Sequence, residues 1–126
     1  MMTLDLREKF NHATSVLRDD SGSEDVTTLI HRTPWVRILL EYDRQESESF
    51  FIEVEVSLPE STQKTNSDTS HIIDVLSEHL QYLQKLRKFG FELCVIGSGN
   101  IFCASKEVRE SPDDNLFTAL IPPETG

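Results

Sequence analysis

Residues 68–105, DTSHIIDVLSEHLQYLQKLRKFGFELCVIGSGNIFCAS, decide the fold. Apolar residues at Ile72, Ile73, Leu76, Leu80, Leu83 and Leu86 recur with the 3.6-residue period of one helix face. Val75, Tyr82 and Phe89 widen that stripe, which implies a helix covered from more than one side. Oxygens on Ser67, Asp68, Thr69 and Ser70 can cap its first free amides, and Lys85, Arg87 and Lys88 suit its carbonyl end. Gly90 is placed for the left-handed stop. Beyond it, Phe91–Ile96 and Ile101–Ser105 flank a glycine-rich turn, Gly97-Ser-Gly-Asn100, and read as a hairpin. With Ser98 and Gly99 at the tip, Cys94 faces Cys103, Val95 faces Phe102 and Leu93 faces Ala104.

Upstream, Leu4, Leu6, Phe10, Ala13, Val16 and Leu17 predict a first helix of about four turns, with Asp5 and Glu8 spaced as a capping box. The acidic run 19–25 is a solvated linker; a calcium loop would need alternating oxygens between two helices, and a strand follows instead. Val26–Arg32, Trp35–Tyr42 and Glu48–Leu58 are strand-prone. Val36, Ile38, Leu40 and Tyr42 share a face, as do Phe50, Ile52, Val54, Val56 and Leu58, so a hairpin keeping both sets together pairs residues of even sum. A loop centred on Gln45 sets Arg37 opposite Glu53, Leu39 opposite Phe51 and Trp35 opposite Glu55, all away from the core. Thr33-Pro34 bends or interrupts the chain between the first two strands.

Residues 59–69 read as a flexible loop and 122–126 as a flexible tail. Ser111-Pro112-Asp113-Asp114 opens a short last helix, with Ser111 as cap, Pro112 at its first position and Leu116, Phe117, Leu120 and Ile121 on one face. The expected fold is a single α+β domain over residues 1–126. It is a two-layer sandwich in which an antiparallel sheet (β-β-β-α-β-β) carries an N-terminal helix, a long central helix and a short C-terminal one.

Twelve basic residues against 22 acidic ones give a net charge of −10 and a pI near 4.7. Scattered basic residues on so acidic a chain argue against nucleic acid and against an anionic membrane surface. No run is long enough to cross a bilayer and no leader pattern is seen, so a cytoplasmic chain with reduced cysteines is expected.

Element order, size and acidity resemble those of the small secretion chaperones of the type III class. The resemblance implies a dimer that binds protein clients, although the last helix is shorter and the central one longer than in that class.

Chemistry-bearing residues are sparse. None of His12, His31, His71 and His79 sits one helical turn from another, so no metal site or cofactor is expected. Cys94 and Cys103 lack a Cys-x-x-Cys motif or an adjacent histidine, and read as small apolar side chains packed across a sheet. The glycine turn lacks the lysine and the following helix of a phosphate loop, and no catalytic set emerges. The leading expectation is a non-enzymatic protein-interaction module, an acidic adaptor, chaperone-like protein or inhibitor acting as a homodimer, with partner contacts at Trp35, Arg37, Leu39, Phe51, Glu53 and Glu55. An alternative is a regulatory domain with a small-molecule pocket at His79, Tyr82, Cys94 and Cys103. A third is a catalytic domain with a cysteine nucleophile.

Overall fold

A computed structural model describes residues 2–19, 26–43, 49–57, 69–96, 101–108 and 112–123. The elements are α1 (Met2–Asp19), β1 (Val26–Arg32), β2 (Val36–Asp43), β3 (Ser49–Ser57), α2 (Thr69–Lys88), β4 (Glu92–Ile96), β5 (Ile101–Val108) and α3 (Asp114–Leu120). The five strands form one antiparallel sheet in the order β1-β2-β3-β5-β4, so the second hairpin joins the sheet through β5 and leaves β4 at an edge.

The even-numbered residues Val36, Ile38, Leu40, Phe50, Ile52, Val54 and Val56 are buried on one face. They share a single core with Leu6, Phe10, Ala13 and Leu17 of α1, Tyr82, Leu83 and Leu86 of α2, and Leu116, Phe117 and Leu120 of α3. All three helices therefore lie on that face. Phe117 anchors the helical layer, its ring edge-on to Phe10 at 5.3 Å between centroids, with the Arg7 guanidinium 4.6 Å above it. Arg7 also bonds Asp114 and the carbonyl of Pro112, tying α1 to the start of α3.

The end of α2 is closed as expected. Gly90 has φ of 97°, its amide donates to the Arg87 carbonyl, and the Phe91 amide reaches back to Leu86, the paired bonds of a left-handed helix stop. Thr33, Pro34 and Trp35 make the tight link between β1 and β2. The Thr33 amide donates to the Val36 carbonyl at 2.8 Å, and the Thr33 hydroxyl oxygen accepts from the Val36 amide at 3.0 Å. These are two separate antiparallel strands.

Several expectations need correction. The β2–β3 pairs sum to 92 rather than 90, so Arg37 faces Glu55, Leu39 faces Glu53 and Glu41 faces Phe51. A two-residue slip leaves every side chain on its own face, which is why hydrophobic patterning does not distinguish the two registers. Because α1 begins at Met2, Asp5 and Glu8 lie inside the helix and do not form its cap. In α3 the cap is Asp113, whose carboxylate accepts from the Leu116 amide, and Pro112 precedes the cap. Pro122, assigned to a tail, is buried. The loop expected at 59–69, up to the first residue of α2, lies outside the described residues, as do the Ser111 cap, the turn tip at 98–99 and the tail at 124–126.

Candidate interaction surfaces

The odd-numbered residues of β2 and β3, with Cys94 and Cys103, face away from the helices. Arg37, Leu39, Phe51, Glu53 and Glu55 come together there, as the alternation of the strands requires. Arg37 forks onto Glu55 through Nε and Nη2. Burial raises the Glu53 carboxyl above its ordinary pKa, with further contributions from a hydrogen bond to Glu55 and the charges of Glu55 and Glu41, partly opposed by Arg37.

Trp35 is not part of this surface. It lies at the link before β2, packs against the core, and stacks on His79 with ring centroids 5.3 Å apart.

The residues proposed for a small-molecule pocket are separated by the sheet. His79 and Tyr82 are buried under α2, where Tyr82 donates to the Leu120 carbonyl at 2.7 Å and His79 Nδ1 lies 2.8 Å from the Val75 carbonyl. Cys94 and Cys103 pair directly across β4–β5, as the hairpin count predicts, but on the opposite face beside Glu55. Parity alone explains this: Ala104 and Phe102 pair with Val54 and Val56 toward the helices, so Cys103 points outward.

Cys94 is exposed and Cys103 is only 4% exposed. Burial, then the neighbouring charges of Cys94, Glu55 and Glu53, push the Cys103 thiol up to about 12. A thiol so held carries almost no thiolate at neutral pH, which removes the nucleophile that the catalytic reading needs at this position. His79 is on the other face of the sheet, and His12 and His31 belong to α1 and β1 at the far edge.

Two further surfaces emerge from the structure, the first of them partly anticipated by the wide apolar stripe of the central helix. Among the described side chains of α2 the buried ones are Val75, His79, Tyr82, Leu83 and Leu86, while Ile73 and Leu80 are 55% and 47% exposed. At about 100° per residue, Ile73 and Leu80 lie roughly 120° around the helix from the buried line. Glu78, Tyr82 and Lys85 form the flank that meets the chain after α3. Ile73, Leu76 and Leu80 therefore project from the other flank, past the β4 edge. All five residues of β4 are exposed, including Leu93, Val95 at 55% and Ile96. Two signals in the sequence point here: a helical stripe wider than one contact, and the uninterrupted apolar run Leu-Cys-Val-Ile.

The second surface is an open groove of about 430 Å³ between α1 and β1, with Lys9, His12, Val16, Leu29, His31 and Arg32 on its walls. Its floor is apolar and its rim basic, in a chain that is acidic as a whole.

Comparison with family models, with curated proteins and with solved structures returns no match for this chain. Among the described residues no helix is long and apolar enough to cross a membrane.

Proposed function

We propose that the protein is a non-enzymatic interaction module, an acidic adaptor or chaperone-like protein that works as a homodimer and holds a protein partner on its remaining free surfaces. The observation that carries this reading is the apolar seam formed by β4 and the outer flank of α2. Ile73, Leu80, Leu93 and Val95, all on the helix side of the sheet, together leave on the order of 350–400 Å² exposed, within the range of patches that carry contacts, and Ile96 adds apolar surface to the same edge from the outer face. A stable interface takes roughly 800 Å² per partner, so the edge-strand backbone and the flanking polar atoms have to supply about half of it.

A second copy is the occupant that satisfies every part of the seam. Antiparallel pairing of β4 with itself about a two-fold axis is self-complementary, and it brings the two α2 flanks together on one side of a continuous sheet. Paired residues must share a face, so their numbers sum to an even value. Only centring on Cys94 pairs all five residues of β4: Leu93 with Val95 of the second copy, and Glu92 with Ile96 rather than with another glutamate. The groove between α1 and β1 and the outer face of β2 and β3 stay open in such a dimer. The groove suits an extended, acidic and apolar segment of a partner chain. The element order shared with the secretion chaperones points the same way.

Size-exclusion chromatography with light scattering tests the proposal. A mass twice that of the chain is expected, together with Cys94–Cys94 cross-linking under mild oxidation. A strict monomer at 100 µM would overturn it.

The small-molecule reading has no comparable support, since its four residues lie on opposite faces of the sheet.

A further inference from the structure

We propose that Cys94, Cys103, Glu53 and Glu55 bind a thiophilic divalent cation of the zinc class on the outer face of the sheet. The ligand atoms of Glu53, Glu55 and Cys103 all lie within 4.8 Å of one another. The two glutamates are two residues apart on β3 and so share a face. Cys103 sits directly across from Glu55 on β5, and Cys94 directly across from Cys103 on β4, its thiol in hydrogen-bonding contact with that of Cys103. Two strands thus bring one sulfur and two oxygen ligands together, and the third strand holds Cys94 beside Cys103 as the fourth; two sulfurs and two oxygens match a tetrahedral, borderline-soft ion.

Bond lengths of about 2.3 Å to sulfur and 2.0 Å to oxygen put neighbouring ligand atoms roughly 3.2–3.8 Å apart, so Glu53, Glu55 and Cys103 need to close by up to about 1–1.5 Å while Cys94 swings in from beside Cys103, within reach of side-chain rotation. Arg37 already occupies Oε1 of Glu55 and leaves Oε2 for the ion, the arrangement of an outer residue that orients a ligating carboxylate. Burial of Cys103 closes the site from one side, and Cys94, exposed on the outer face that the proposed dimer leaves open, gives an ion its way in.

Binding exchanges thiol protons for the ion: each S–H bond breaks, the proton passes to solvent, and a metal–sulfur bond forms with no change in oxidation state.

Titration of the reduced full-length chain with Co²⁺ alone tests the site. One ion per chain is expected, with a thiolate-to-cobalt charge-transfer band in the near ultraviolet, strong visible bands of four-coordinate cobalt, and displacement of both by Zn²⁺. Cys94→Ser should roughly halve the charge-transfer intensity. The Cys94→Ser/Cys103→Ser pair should abolish it. Glu53→Gln/Glu55→Gln should keep the band and bind at least tenfold more weakly. Leu80→Glu, which disturbs the proposed dimer seam, should bind cobalt like the wild type, so failure of the dimer and failure of the metal site give different results. Absence of the charge-transfer band in the reduced wild type overturns the proposal, as does undiminished cobalt affinity in the double cysteine variant.

Discussion

Leu80→Glu is the most direct perturbation of the β4–α2 seam. Leu80 is 47% exposed in the single chain, on the outer flank of α2, and glutamate is nearly as good a helix former as leucine. The isolated protomer should therefore change in stability by no more than about 0.5 kcal/mol. In the dimer the substitution acts twice. Completing the burial of half a leucine side chain is worth about 1 kcal/mol per copy. Desolvating a carboxylate in its place costs at least about 1 kcal/mol more per copy. The sum is about 4 kcal/mol, or close to a thousandfold in the dimer dissociation constant. Sedimentation velocity over a concentration series reads this directly, and urea unfolding of the monomeric variant supplies the control. An unchanged dissociation constant would refute the geometry. A loss of dimer accompanied by a large loss of protomer stability would show instead that Leu80 belongs to the core.

Other perturbations probe the remaining features. At pH 8 the exposed Cys94 should alkylate and the buried Cys103 hardly at all, since burial shuts the reagent out and a thiol at about 12 carries almost no thiolate at that pH; mass spectrometry after partial labelling would identify the site, and equal labelling would contradict the burial. The same upward shift means that folding stability falls as pH rises from 9 toward 12, because over that range the unfolded chain gives up the Cys103 proton and the folded chain keeps it. Gly90→Ala should cost about 1 kcal/mol through its positive φ, the Lys106 ammonium that a Cβ would meet at 2.7 Å being free to swing away; an unchanged melting temperature would count against the helix stop. His79→Leu removes a buried Nε2 that has no partner, a defect worth about 1–3 kcal/mol, against about 1 kcal/mol for the bond lost to the Val75 carbonyl. A small rise in melting temperature is expected, and a clear fall would mean that the imidazole is satisfied by something else, such as a bound water.

How much of this was legible in the sequence depended on which physical rule left a mark there. Alternation in β2 and β3 announced which residues share a face, and the glycine-rich turn fixed the Cys94–Cys103 register. The two-residue error between β2 and β3 was invisible to that rule. In either register Arg37 meets a glutamate, Glu53 or Glu55, so charge pairing did not separate the alternatives. In α2 the periodicity reported apolar residues around much of the helix without saying which arc faces the sheet. The arc that does so includes His79 rather than Leu80, because the Trp35 ring and the Val75 carbonyl meet the imidazole. The assumed pocket failed for a related reason: residues distant in sequence were grouped without the parity that puts Cys103 and Tyr82 on opposite faces.

The two edges of the sheet differ in how open they are to a second copy. Natural sheets blunt an exposed edge with a bulge, with charge or with a covering element. β1 has all three: its register shifts between Leu29 and His31, it ends in His31 and Arg32, and α1 packs beside it. Among the described residues β4 has none of them along Leu93–Ile96, with Glu92 its single charged residue. Its ladder with β5 is regular through all five pairs. An apolar, unbulged edge strand invites pairing, and the net charge of −10 that suppresses chance association leaves a specific, self-complementary contact as the way to close it. Pairing β4 with its own copy removes the open edge and covers Leu80 and Ile73 in the same step. It leaves the blunted edge and its basic groove as the side on which a partner can dock.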